Sequence, residues 1–285
     1  MNELQTKAAV LIEALPYLQR FRGHTFLIKI GGSVMEDSAL VSEFMRDILF
    51  LAVAGIRPIL VHGGGKAISA AMNESGMEAE WVEGFRVTCE RSIKLVEETL
   101  SRKLSPKLAG LLNEFGGKGQ AIPGTEIFQA ERLHPNGQDI GFVGQVASCE
   151  TQAIEKLLEK DVVPVISPLG REVEGGGSLN VNADLAAAAL AKALQPAKLI
   201  YLSDVPGLMG DPSDVETLIP SLNRREVEGL LADGTIAGGM IPKVTSAVDA
   251  LEAGTQKVHF VDGRLSHALL LEIFTSLGIG TEITL

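Results

Sequence analysis

Short apolar runs rich in β-branched residues alternate along this chain with longer stretches whose apolar positions recur every three or four residues. "TFLIKI", "RPILVHGGG", "VVPVISP", "KLIYLSDV" and "KVHFVDG" predict strands. "ALVSEFMRDILFLAVAG", "ERSIKLVEETL", "TQAIEKLLEK", "NADLAAAALAKAL" and "PKVTSAVDALEAG" predict the helices between them. Near-continuous apolar strands joined by helices specify a mainly parallel sheet covered on both faces, a three-layer αβα sandwich of the α/β class. Two glycine-punctuated stretches, "GQAIPGTEIFQAERL" and "QDIGFVGQVASCE", predict antiparallel hairpins inserted at one end of that sheet. Ahead of the first strand, Leu4, Ala8, Leu11, Leu15 and Leu18 fall on one helical face and predict an amphipathic helix kinked near Pro16.

Composition narrows the function classes. With 285 residues and 46% hydrophobic content the chain can bury a large core. A net charge of −11 argues against non-specific binding to nucleic acid or anionic lipid, so an anionic substrate must be held by locally placed cations. Two widely separated cysteines, Cys89 and Cys149, suit a reducing compartment rather than a zinc site or disulfide scaffold. No apolar stretch reaches the roughly 20 residues of a membrane span, and Glu3, Lys7 and Glu13 break any signal-peptide pattern; a cytoplasmic location is expected.

Ligands of open α/β sheets bind beyond the carboxyl ends of the strands, and several of those ends are glycine-rich. "KIGGS" carries Gly31 and Gly32, and "VHGGGK" carries Gly63, Gly64 and Gly65; each leads toward a helix whose first amides can hold an oxyanion. Neither matches the G-x-x-x-x-G-K-[ST] or G-x-G-x-x-G patterns. Lys29 interrupts the first apolar run and could direct its charge to the same point, although a lysine snorkelling out of an edge strand is an equal explanation. In "LNVNAD", Asn182 is a good N-cap and Asp184 suits the first turn of a helix on dipole grounds alone, while Asn180 could contact a polar substrate. Lys243, in "GGMIPK", opposes the helix dipole and so calls for an anion nearby. Ser203 and Asp204 end a strand in "YLSDVPGL", a rim for a nucleotide or simply a turn. Arg86, in the loop "EGFRVT", suits bidentate carboxylate binding, though a solvated arginine is commoner.

Taken in order and spacing, "KIGGS", "VHGGGK", "EGFRVT", "LNVNAD", "SDVPGL" and "GGMIPK" resemble the amino acid kinase family, and within it the acetylglutamate kinase branch. The resemblance covers nearly the whole chain. It implies ATP-dependent phosphorylation of the γ-carboxylate of N-acetyl-L-glutamate in arginine biosynthesis, with Mg2+ held mainly by the nucleotide phosphates. By position it makes Lys29 and Lys243 transition-state stabilisers organised by Asp184. Gly64, Gly65, Arg86 and Asn180 would hold acetylglutamate, and Gly31, Gly32, Ser203, Asp204, Val205, Pro206, Gly207, Leu208, Thr235, Ile236 and Ala237 the nucleotide. No protein metal ligand is implied. Lys66, Ser203 and "VASCE" depart from the usual pattern of the family, and the last borders the acceptor.

The first helix and the tail "DGRLSHALLLEIFTSLGIGTEI" also resemble the arginine-inhibited, hexameric members of the family. This implies an oligomerisation helix over residues 1–22, a kinase domain over 23–285 with an acceptor lobe (about 23–195) and a nucleotide lobe (about 196–285), and a homo-oligomer, a dimer or a trimer of dimers. Tyr17, His267, Glu272 and Gly278 become candidates for an arginine site. Other acceptors (N-acetyl-aminoadipate, glutamate, aspartate, carbamate or UMP) and a non-catalytic small-molecule sensor on the same fold are the competing expectations.

Overall fold

The computed structural model describes residues 3–32, 34–276 and 278–285; Ser33 of the first glycine turn and the side chain of Leu4 in the expected helical stripe lie outside the described set. The chain opens with α1 (Glu3–Phe21), β1 (Thr25–Ile30), α2 (Ser38–Val53), β2 (Arg57–His62) and α3 (Gly65–Glu74). A small hairpin follows, β3 (Trp81–Val82) and β4 (Phe85–Arg86), then α4 (Glu90–Glu97) and α5 (Ser105–Glu114), joined by a π-helical stretch, Glu98–Leu104. The middle contains β5 (Gly119–Ile122), β6 (Phe128–Arg132), β7 (Val143–Cys149), α6 (Gln152–Leu158), β8 (Val163–Ile166), β9 (Leu169–Glu172), β10 (Ser178–Val181) and α7 (Ala183–Leu194). The last third adds β11 (Lys198–Ser203), β12 (Ser221–Asn223), α8 (Arg224–Ala232), α9 (Met240–Glu252), β13 (Lys257–Asp262), α10 (Ala268–Phe274) and β14 (Thr281–Thr284).

The main sheet has eight strands in the order β12-β14-β13-β11-β1-β2-β8-β5, and only the β13–β14 pairing is antiparallel. From β1 the chain builds one side through β2 and the other through β11, which puts the topological switch point, where α/β sheets open a crevice, between β1 and β11. Side chains alternate across the sheet. Phe26, Ile28 and Ile30 belong to the core layer under α2, α5 and α10, whereas Leu27 belongs to the layer under α7 and α9. Lys29 shares the parity of Leu27, so its side chain leaves the sheet on the side of α7 and α9. Alanines at 186, 187, 188 and 191 are buried in α7 and let it lie close to the strands.

Two parts differ from expectation. The β6–β7 pairing is antiparallel as expected, but the pattern does not predict the antiparallel pair β9–β10, and parallel pairings of β7 with β10 and β6 with β9 close the four strands into one unit. Gly119–Ile122 leaves that unit and forms a parallel edge of the main sheet against β8. Its glycine is a close-packing site, since a Cβ at Gly119 would lie 2.7 Å from the carbonyl oxygen of Ala109 in α5. The helix α1 runs unbroken through Pro16 and docks at its C-terminal end, where Phe21 is buried and Tyr17 meets Phe274 edge to face. Val10, Leu11 and Ile12 are 59, 69 and 68% exposed.

β2 ends on His62, which is fully buried, and burial pushes its imidazole down to about 4. The unfolded chain binds that proton near pH 6.5, so between about pH 6.5 and 4 the unfolded state holds more protons than the folded one and stability is lost as pH falls. Urea unfolding at pH 7 and pH 5 should show about 2 kcal/mol of His62-dependent loss, absent from the pH dependence of His62→Asn. Equal pH dependence in the two proteins would contradict a neutral buried His62.

Candidate active site

A cleft of about 410 Å³ opens at the carboxyl ends of β1, β2 and β11. Lys29, at the end of β1, reaches Asp184 in the first turn of α7, with its Nζ 2.6 Å from Oδ1; Lys243, in the first turn of α9, approaches Oδ2 of the same carboxylate to 3.8 Å. Oδ1 receives no aligned hydrogen bond, so the Lys29 contact acts through charge rather than direction. Asn182 caps α7 by accepting from the N–H groups of Asp184 and Leu185, at 2.8 and 3.2 Å, and fixes where the carboxylate stands.

The two glycine turns lie against one another. A Cβ on Gly63 would meet the amide nitrogen of Gly32 at 3.4 Å, and one on Gly31 would sit 3.7 Å from Lys29 Nζ. Gly64 is the N-cap of α3, and the N–H groups of Gly32, Gly64 and Gly65 donate to none of the described residues. Unpaired amides at a helix start, beside an ammonium group, form an anion site. The π-helical stretch supplies the wall behind it: Leu100 and Leu104 fill the space where a Gly64 side chain would be.

Arg86 is buried rather than solvated, and lies on β4 rather than in a loop. Nη2 donates to the carbonyl of Gly65 and to Ser69 Oγ, each at 2.8 Å, and Nη1 reaches Met72 Sδ at 3.5 Å. Burial lowers its pKa, and no carboxylate pairs with it among the described residues, which leaves a desolvated cation facing the cleft. Asn180 on β10 donates to Thr88 Oγ1 at 3.2 Å, and Thr88 in turn to the Arg86 carbonyl at 2.8 Å. Ser203 Oγ is buried without a partner at the cleft wall, next to Asp204.

The cleft thus gathers Lys29, Gly31, Gly32, Gly64, Gly65, Arg86, Asn180, Asp184, Ser203, Asp204 and Lys243. Val205, Pro206, Gly207 and Leu208 continue from Asp204, and Thr235, Ile236 and Ala237 precede α9, but none of these lines it. Leu208 and Ile236 are core side chains, available to a ligand only through their backbone. Sequence reasoning missed Trp81, whose ring lies 4.5 Å from the Arg86 guanidinium. Its only signal was an aromatic residue opposite Arg86 across the Glu83–Gly84 turn.

A second cleft, of about 490 Å³, joins Tyr17, Glu272 and Gly278 with Lys198, His259 and Glu282. Glu272 is buried, not on a solvated face. Despite desolvation, its hydrogen bond with His259 (2.6 Å) and the N–H groups of Ile279 and Gly280 hold its carboxyl below the usual range. His267 corrects expectation: it stands outside this cleft, in left-handed conformation at the start of α10, with Nδ1 2.7 Å from Asp47 in α2.

No helix among the described residues is long and apolar enough to cross a membrane. Residues 24–262 match the amino acid kinase family. The acetylglutamate kinase of Akkermansia muciniphila is 57% identical over 99% of this chain and 97% of its own. Among solved structures, N-acetylglutamate synthase from Neisseria gonorrhoeae complexed with coenzyme A and N-acetyl-glutamate superposes with a TM-score of 0.87 at 28% identity, over 98% of this chain and 63% of that one. Its complex with coenzyme A and L-arginine gives 0.82 at 26%, over 97 and 65%. This chain therefore spans less than two thirds of the synthase. A match across most of its length, together with a relative so similar from end to end, makes this chain a member of the amino acid kinase family.

Proposed function

We propose that this protein transfers the terminal phosphoryl group of ATP to the γ-carboxylate of N-acetyl-L-glutamate, producing N-acetyl-L-glutamyl 5-phosphate for arginine biosynthesis. The observation that carries this reading is the convergence of Lys29 and Lys243 on Asp184 beside unpaired glycine amides, in a chain 57% identical to an acetylglutamate kinase. A carboxylate oxygen attacks the γ-phosphorus and the bond to the β-γ bridging oxygen breaks, so ADP leaves. The acceptor is already ionised at neutral pH and needs no general base. What the protein must supply is positioning and positive charge. Lys29, Lys243 and the amides of Gly32, Gly64 and Gly65 face the migrating group, Arg86 and Asn180 hold the acceptor, and Ser203 and Asp204 border the nucleotide.

Magnesium would be carried on the nucleotide phosphates, where it would neutralise their charge. The acceptor and nucleotide halves meet near residues 195–196, between α7 and β11. The exposed apolar residues of α1 suit an oligomerisation helix over residues 1–22, and the reading places the enzyme in the cytoplasm.

The second cleft favours a further role as an arginine-sensing site. Glu272 presents a carboxylate there, complementary to a guanidinium or an ammonium, beside Glu282, which Lys257 holds, and the related synthase has been solved with L-arginine. Tyr17 and Gly278 line it with them.

With ATP, N-acetyl-L-glutamate and hydroxylamine, the wild type should form a hydroxamate, the trapped acyl phosphate; its absence rejects the reaction. Lys29→Ala or Lys243→Ala should lower kcat by about 10² to 10³, the scale of one preorganised donor, and near-normal turnover in either would remove that lysine from the site. Arg86→Lys should chiefly raise the KM for acetylglutamate, because an ammonium cannot reproduce a planar fork. Millimolar arginine should slow the wild-type reaction, and Glu272→Gln should shift half-inhibition at least about tenfold, the scale of 1.4 kcal/mol, without changing the rate in its absence. Arginine-indifferent rates in the wild type would discard the sensing role.

A further inference from the structure

His62 is a fully buried titratable group beside the cleft that the reaction does not use. It ends β2, immediately before the glycine turn. Its Nδ1 lies 2.7 Å from the carbonyl oxygen of Gly63, and its Nε2 lies 2.6 Å from Ser105 Oγ. A carbonyl can only accept, so Nδ1 carries the hydrogen. The imidazole is neutral, so Nε2 keeps its lone pair and Ser105 must donate to it. Ser105 Oγ also lies 3.0 Å from the carbonyl of Leu100, but that carbonyl already accepts the Ser105 backbone N–H through the π-helical stretch, so the single hydroxyl hydrogen can go to the nearer His62 nitrogen without leaving Leu100 unpaired.

The consequence follows from peptide planarity. The C=O of Gly63 and the N–H of Gly64 belong to one trans peptide and point in opposite directions. A donor clamped on that oxygen therefore sets the direction of the Gly64 amide. Gly64 has an extended φ of 172° and ψ of 17°, and the turn contains three successive glycines, so no side chain limits rotation of this peptide. The Gly64 N–H has no protein partner among the described residues, and the turn abuts Gly32, whose neighbour Gly31 lies beside the Lys29 ammonium.

We infer that His62 is a positioning residue for phosphoryl transfer: held in one tautomer by Ser105, it clamps the Gly63–Gly64 peptide so that the Gly64 amide faces the migrating phosphoryl group. The inference rests on the kinase reading above. It explains why an imidazole, able to accept at one nitrogen while donating at the other, stands where a strand otherwise carries aliphatic residues.

The test compares His62→Phe, His62→Asn and Ser105→Ala with the wild type, in the full-length chain. Phenylalanine fills the ring volume without a donor, while the asparagine amide nitrogen occupies nearly the place of Nδ1 and can still serve Gly63. His62→Phe should lose about 10² in kcat, with the KM for ATP and acetylglutamate within about threefold of wild type. His62→Asn should recover at least about tenfold of that loss, and Ser105→Ala should lose about three- to tenfold. Calorimetry supplies a readout apart from turnover. ADP with aluminium fluoride and acetylglutamate, a mimic of the planar phosphoryl group, should bind about 10²-fold more weakly to His62→Phe than to wild type, while ADP alone binds equally. If His62→Phe does not fold, by circular dichroism, Ser105→Ala and His62→Asn decide the matter. Unchanged kcat in Ser105→Ala, or His62→Asn no better than a folded His62→Phe, overturns the clamp. Failure of the wild type to give hydroxamate at all rejects the kinase reading instead, so the two failures are told apart.

Discussion

The architecture of the candidate site depends on one carboxylate shared by two ammonium groups that are far apart in sequence. Without Asp184, Lys29 and Lys243 would repel one another across a partly dry cleft, and Lys243 would also face the positive end of its own helix. With Asp184 the local order of charge is plus, minus, plus, and the outer faces of both lysines stay available to a third anion. The geometry is asymmetric. The Lys29 contact is short and buried, while Lys243 stands 3.8 Å away with its side chain 26% exposed. A strand lysine inside a parallel sheet is fixed by its neighbours, whereas one in the first turn of an exposed helix start can follow the group that moves. The pairing also explains the alanine-rich face of α7, since only small side chains let the carboxylate come this close to the end of β1.

Cations alone do not make a phosphoryl-transfer site, and the glycine turns supply the directional part. Backbone amides can approach phosphate oxygens more closely than side chains, but a glycine turn is also the segment most free to rotate. The surrounding structure restrains it from several sides. Gly31 donates to Leu202 and Gly63 to Ile30, which tie both turns to the sheet; Leu100 and Leu104 occupy the space above Gly64; and Arg86 grips the Gly65 carbonyl. Arg86 thus joins the start of α3 to the hairpin that carries Trp81, so that hairpin and the glycine amides share a residue.

Where function needed regular elements, the sequence was legible. Apolar runs ending in glycine placed β1 and β2, one ending in Ser203 and Asp204 placed β11, and the N-capping Asn182 and dipole-opposing Lys243 placed the starts of α7 and α9. Less legible were features set by tertiary contact. Ser221–Asn223 and Thr281–Thr284 are too short to show a period, and they become strands by pairing at an edge of the sheet. The π-helical stretch leaves no mark in a pattern of helical spacing, yet it positions Leu100 and Ser105. Gly119–Ile122 reads as hairpin because its glycine suggests a turn, when that glycine is instead a contact with α5. His267 sits in the right region of the tail for the second cleft, but the left-handed turn at the start of α10 sends it to Asp47.

The two clefts resolve the burial of a lysine in opposite ways, and the contrast clarifies what each can bind. Lys29 ends β1 opposite a carboxylate, so the pair is electrically balanced and any anion entering must be attracted by the surplus from Lys243 and Arg86. Lys198 begins the neighbouring strand, directly across from Phe26, and its close partner is the imidazole nitrogen of His259 at 2.7 Å. Burial pushes it down to about 8, with the carboxylates of Glu282 and Glu272 opposing the shift. His259 also loses basicity through burial while holding Glu272 on its other nitrogen. Lys198, His259 and Glu272 therefore form a chain in which donor meets acceptor at each link, with the negative end toward Gly278. The second cleft is lined by both signs of charge, Arg20, Lys198 and Lys257 against Glu272 and Glu282, while the excess of cation at the other end of the same strands favours anions. A chain of net charge −11 thus handles a highly anionic reaction by bringing Lys29, Arg86 and Lys243 together at the carboxyl ends of the central strands.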